Sequence, residues 1–334
     1  MDRWDRVGRR AAYGGALALV PYLLIKVSWV VGSLMGLLPV GQGFGTAEWV
    51  VLNAVTVGMA AIGIASALAL VRPWGMRIPA APVVFCAWVA SGFLVSILPF
   101  GVLGALLDAG GGSPGEAGNS AGPADPADPA MPVWEGVLVQ FGFLGMGLGL
   151  ALAVPAYLRR RWPASFAGRV GDGPRTALPW AAVVGAAVGP AWLYWAAGGT
   201  AGIAHPAERV TDWYVLGAVS GFWALACSAA VGVITLARPA RLPRTVPLVF
   251  GWVGSGSLFA WSGWKLPVTL YLALADPAGA RPPEHPAVAV VLHLCAVVAG
   301  AAMLRTLVRS HRRQDGSCPP PVTTVRVREG RELP

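Results

Sequence analysis

The chain has 334 residues, of which 55% are apolar and only 12% charged, with 15 Trp, 44 Gly, four Cys and a formal charge of +9. A water-soluble domain carries roughly twice that charged fraction, so one is excluded, and the apolar content likewise excludes a disordered chain. Glycines without a triplet period exclude collagen, and so few cysteines exclude a disulfide scaffold. What remains is a polytopic membrane protein. Its basic residues are spread between apolar runs instead of gathered in one patch, which argues against a nucleic-acid partner.

The N-terminal segment 1–10 carries Arg3, Arg6, Arg9 and Arg10. The apolar stretch behind it is too long for a signal h-region and lacks a small-x-small cleavage pattern, so the first span is expected to stay attached. Apolar runs follow at about 11–38, 47–71, 80–107, 131–158, 176–198, 211–236, 246–272 and 286–308. Each suffices for the ~20 helical residues that cross a hydrocarbon core of ~30 Å. Lipid offers backbone amides no partner, so helices are expected throughout: an all-α polytopic bundle of eight transmembrane helices. The Gly/Pro/Asp-rich segment 108–130 reads as a mobile outer loop, 159–175 as a cytoplasmic linker, and the tail 310–334 as disordered.

Twenty-one of the 25 Lys and Arg fall in the termini and in the connections on one side; the opposite connections hold only Arg209 and Arg281, with most of the acids. Both termini are therefore expected to be cytoplasmic, in a plasma membrane protein.

The two halves share motifs at a nearly constant offset. Trp29, Gly32 and Gly36 recur as Trp195, Gly198 and Gly202 at a separation of 166, and Arg72-Pro73 recurs as Arg238-Pro239. Trp49-Val-Val-Leu recurs as Trp213-Tyr-Val-Leu and Trp88-Val-Ala-Ser-Gly as Trp252-Val-Gly-Ser-Gly, both at 164. Tandem duplication into two parallel four-helix repeats, 11–158 and 176–309, is the expectation. Gly32 and Gly36, Gly198 and Gly202, and also Gly145 and Gly149 are four apart, a spacing that puts each pair on one helix face for close packing.

The segments PYLLIKVSW and YWAAGGTAGI resemble an actinobacterial family of multi-pass membrane proteins in which a four-helix unit carries Tyr-Trp, a small residue and paired glycines. The first half departs from that pattern, with Ser28 where the second has Tyr194 and Ser33 where it has Gly199. The resemblance implies architecture and no activity.

Lys26 and Lys265 are the only two lysines, and both lie inside apolar runs. An ionisable residue at membrane depth is costly and marks a functional site by default. At ~1.5 Å per residue, Lys26 is roughly 22 Å and Lys265 roughly 27 Å from the cytoplasmic start of its helix. Asn53, Gln140, Tyr194 and His293 fall in the same outer half, and Trp29 shares a face with Lys26. An outward-opening cavity between the repeats follows, lined by Lys26, Trp29, Gln140, Tyr194, Lys265 and His293 and suited to a small anionic, carbonyl-bearing or lipid ligand. The competing reading has the lysines snorkelling to the interface and His293, Gln140 and Asn53 serving as interhelical hydrogen bonds.

His205, Glu208, Glu284 and His285 have ligand chemistry but no metal-site spacing, and there is no CxxC; neither metal nor cofactor is expected. Three functions are open: binding or transport of a small molecule or lipid, a membrane enzyme acting on a lipid-linked substrate through Lys26, Glu135 or His293, and a structural or regulatory subunit. HExxH, an Asp-rich diphosphate motif and a phosphate loop are all lacking, which favours the first, non-enzymatic class. Its partners are the bilayer and the ligand.

Overall fold

A helix falls on each of the eight apolar runs in the computed structural model, which describes residues 3–38, 45–109, 133–161, 163, 167–275 and 281–315. In chain order these are α1 (Arg3–Leu34), α2 (Thr46–Ala69), α4 (Ala80–Ala109), α5 (Val133–Arg161), α6 (Trp180–Ala196), α7 (Thr211–Leu236), α8 (Thr245–Ala275) and α9 (Pro286–Asp315). A short helix, α3 (Pro73–Arg77), turns the chain between α2 and α4, and no strand forms among the described residues. Residues 108–109 of the expected mobile loop 108–130 continue α4, and residues 310–315 of the expected disordered tail 310–334 continue α9, since a helix extends past the membrane where its residues tolerate it; the rest of both segments lies outside the described residues.

Six helices, α1, α2, α4, α5, α7 and α9, are long and apolar enough to cross a membrane, consistent with a multi-pass membrane protein. With 17 residues, α6 reaches ~26 Å. The 31 residues of α8 are ample in length, but Ser255, Ser257, Ser262, Lys265 and Thr269 dilute its apolar run.

The Trp-x-x-Gly glycines do a different job from the one expected. Gly36, Gly198 and Gly202 are not on a packing face: they lie beyond the ends of α1 and α6, with φ of +67°, +94° and +79°. Gly32 stays inside α1, but a Cβ there would meet the side chain of Leu38, which folds back over the helix end. The N–H groups of Leu37 and Leu38 donate to the Gly32 carbonyl at 2.8 and 3.2 Å. Gly36 and Gly198 end their helices and Gly202 turns the loop beyond α6, because a residue without Cβ enters the left-handed region at no steric cost. Gly36→Ala tests this cleanly, since a Cβ there meets nothing within 4 Å. The expected cost is backbone strain alone, ~1–2 kcal/mol, read as a lowered melting temperature in detergent.

Close approach is made by other small residues. On α1 and α5, Gly15 faces Gly149, Gly8 faces Ala156 and Ala18 faces Gly145; a Cβ on Gly149 would sit 2.7 Å from Gly15 Cα. With no hydrophobic drive between helices in lipid, such contacts let backbones meet and recover dispersion energy. Tyr22 and Phe143 close the same seam with ring centroids 5.0 Å apart.

Helices α6 to α9 form a closed ring in which α6 neighbours α7 and α9, and α8 neighbours α7 and α9. The first half is open by comparison: α1 packs between α2 and α5, while α4 turns away and packs on α8 and α7. Buried apolar side chains accordingly fall into two clusters, one within each half. At the α4–α8 crossing Gly92 lies on Gly256, and these two glycines hold matching places in the two Trp-Val-x-Ser-Gly segments. Trp88 Nε1 donates to Ser255 Oγ at 3.1 Å, the hydroxyls of Ser96 and Ser257 meet at 2.8 Å, and Trp223 Nε1 donates to the Val95 carbonyl at 3.0 Å.

The linker between the halves is bonded to the second half. Val170 N donates to Leu242 O at 2.9 Å, Gly171 N to Ala240 O at 3.1 Å and Thr176 N to Thr235 O at 2.7 Å, tying it to the end of α7 and to the α7–α8 connection. At the same end of the first half, Arg160 pairs with Asp5 at 3.7 Å, and Arg161 donates to Tyr157 Oη and to the Ile78 carbonyl at 2.8 and 3.2 Å.

Candidate functional site

Each helix of the ring sends a side chain to one cleft at the end opposite that linker. Trp192 and Trp195 come from α6, Trp213 and Ser220 from α7, Trp261 and Lys265 from α8, and His293 from α9. Glu284 completes the lining from the α8–α9 connection, which zips onto the α6–α7 connection: Ala204 N donates to Pro283 O at 2.8 Å and His285 N to Gly202 O at 2.9 Å. This places the Glu284 carboxylate to accept the indole N–H of Trp213 at 2.5 Å. Trp195 and Trp213 lie 6.2 Å apart, and Trp195 Nε1 donates to Ala201 O at 2.7 Å. The cleft measures about 30 Å³, room for a water or two.

Within it, Lys265 Nζ stands 5.5 Å from the Trp261 ring, and Lys265 and Glu284 face the same space without a direct ion pair. The His293 Nδ1 lies 3.2 Å from the hydroxyl of Ser262, which is fully buried, and its ring is 6.0 Å from Trp192. An ammonium, an imidazole and a carboxylate thus border one aromatic-walled space.

Lys26 occupies a separate site, between α1 and α2. Its Nζ donates to Asn53 Oδ1 at 3.1 Å and lies 3.9 Å from the Trp29 ring, with Tyr22 at 6.0 Å. Asn53, 1% exposed, is held in turn by donating to the Trp49 carbonyl at 2.9 Å. Trp29 stacks on Trp49 with centroids 5.7 Å apart and planes inclined by 20°. The pair Trp29–Trp49 and the pair Trp195–Trp213 therefore repeat both in sequence and in contact.

Of the residues expected in one cavity, Lys265 and His293 meet, and Lys26 meets Trp29 in the other half. Tyr194 joins neither group: it is 47% exposed, and its hydroxyl accepts the N–H groups of Thr200 and Ala201 at 3.1 and 3.2 Å, holding the turn after α6. The Gln140 side chain lies outside the described residues. Sequence reasoning missed Trp192, Trp195, Trp213 and Glu284 as site residues. The recurrence of Trp29 and Trp49 as Trp195 and Trp213 was the signal pointing to two of them. Among the described residues no cluster of His, Cys, Asp and Glu has metal-site geometry.

Searches of protein-family models, curated proteins and solved structures return no match to this chain.

Proposed function

We propose that this is an eight-span plasma membrane protein of two parallel four-helix units, both termini cytoplasmic, that binds and moves a small anionic or carbonyl-bearing molecule at the Lys265 cleft. The observation that carries the reading is the convergence of Lys265, His293 and Glu284 among four tryptophans inside the closed ring. Ionisable groups at membrane depth that face the bundle interior mark substrate and ion paths. Two further observations support the duplicated architecture: like glycines meet at the α4–α8 crossing, and the two Trp pairs recur. A cleft of about 30 Å³ is a closed state, so a ligand enters by rocking of the ring helices.

The enzyme alternative has one observation on its side, the Ser262–His293 contact. Ser262 is not part of the cleft lining, so a ligand held there meets the His293 ring and not the Ser262 hydroxyl. The test uses the tryptophans as reporters. Titrating the purified protein with acetate, lactate and glycine is expected to give a saturable change in Trp emission for at least one of them. The same probe should be taken up by proteoliposomes. Emission unchanged by all three, with no uptake, removes the reading.

A further inference from the structure

A second cavity, larger than the Lys265 cleft, lies at the opposite end of the ring, beside the linker. It measures about 180 Å³ and is bounded by the linker, the ends of α7 and α9 and the start of α8. Arg244, Arg309, Thr176, Thr235, Thr306 and Ser310 supply its polar lining. No carboxylate among the described residues lines it; the linker's own acid, Asp172, accepts the backbone N–H of Arg169 at 2.6 Å. Arg244 is only 5% exposed, and its backbone N–H donates to Gly168 O at 3.3 Å, which fixes its main chain against the linker.

The four hydroxyls donate to backbone carbonyls: Thr235 to Val231 at 2.9 Å, Thr306 to Ala302 at 2.9 Å, Ser310 to Leu307 at 2.8 Å and Thr176 to Thr235 at 3.3 Å. The side-chain N–H donors of the lining are then the two guanidiniums, whose fork geometry suits the oxygens of a phosphate. Metabolite pockets run to ~300–1,000 Å³, so this volume fits one oxyanion group whose remainder stays outside. Arg309 is the 24th residue of α9, ~35 Å along its axis from Pro286 and past a ~30 Å hydrocarbon core, at headgroup depth.

We infer that this cavity is a phosphate-binding site, taking the phosphate of an anionic lipid headgroup or free phosphate through Arg244 and Arg309. The function is distinct from the Lys265 cleft and does not depend on it. Ordinary charge-sidedness explains why arginines occupy this end; it does not explain two of them converging on one cavity.

Thermal melting of delipidated protein in neutral detergent tests the site, with inorganic phosphate in one arm and phosphatidylglycerol against phosphatidylcholine in the other. Arg309→Gln is the main variant, because Arg309 is exposed and its loss spares the core; Arg244→Gln is the companion. Wild-type protein is expected to gain several degrees from phosphatidylglycerol and none from phosphatidylcholine, and Arg309→Gln to need about tenfold more ligand for the same gain. Stabilisation by phosphate alone identifies a soluble ligand, and stabilisation by the lipid alone a headgroup. Equal stabilisation by chloride at matched ionic strength, no stabilisation in either arm, or an Arg309→Gln response identical to wild type overturns the proposal.

Discussion

Gly92→Val is expected to separate the two halves. A Cβ at Gly92 would fall on the carbonyl carbon and oxygen of Gly256, and one at Gly256 would lie 2.7 Å from the Trp88 carbonyl oxygen. These are backbone atoms, which cannot rotate aside as a side-chain tip does. Helix α4 must therefore retreat, and it loses the Trp88–Ser255 and Ser96–Ser257 hydrogen bonds and the Trp88–Phe259 ring contact at 4.7 Å. Overpacking costs ~1–3 kcal/mol, and interhelical hydrogen bonds in lipid add ~0.6 kcal/mol each. A total of about 2–4 kcal/mol makes this the largest single-site stability effect anticipated here. It would appear as a melting transition lowered by many degrees and as new protease cuts around α4. Gly58→Val is the control, since nothing lies within 4 Å of its Cβ position. Equal melting of the two variants would mean that α4 and α8 do not cross at this point.

Lys265→Met is expected to abolish the saturable Trp response and uptake while leaving the protein folded. The methionine keeps the stem that packs beside Trp261 and removes only the charge, the group an anionic or carbonyl ligand would meet. Replacing a charge in a bilayer-embedded bundle by an apolar side chain is commonly neutral or stabilising, so melting should hold or rise. Lys26→Met gives the contrasting result: the Lys265 cleft is untouched, but the buried Asn53 Oδ1 loses a donor at a cost of ~1–3 kcal/mol. If both substitutions weakened the response alike, one shared cavity would replace two separate sites.

The helical class and the position of each helix were legible because apolar runs of helix length are a strong signal in a medium that offers backbone no partner. Helix ends were less legible. The expected first boundary at residue 11 moves to Arg3, since a helix continues into water wherever its residues tolerate it. The glycine pattern at Gly32, Gly36, Gly198 and Gly202 was visible, but its meaning was not: spacing of four fits both a packing stripe and a helix followed by left-handed turns. The site was half legible. Lys265 and His293 stood out as ionisable groups in apolar runs and Trp195 and Trp213 were marked only by their recurrence, whereas Trp192 was indistinguishable from an interfacial anchor and Glu284 from an ordinary loop acid.

Composition and hydropathy alone therefore determined what kind of chain this is and where its helices lie, because burial in lipid is decided residue by residue along the sequence. Tertiary structure alone decided that α4 leaves its own half for α8, that Lys26 and Lys265 stand in separate sites, and that two arginines far apart in sequence share one cavity. Those outcomes depend on which faces meet when helices pack, and between helices in lipid that choice rests on close backbone approach and a few hydrogen bonds, which no linear pattern records.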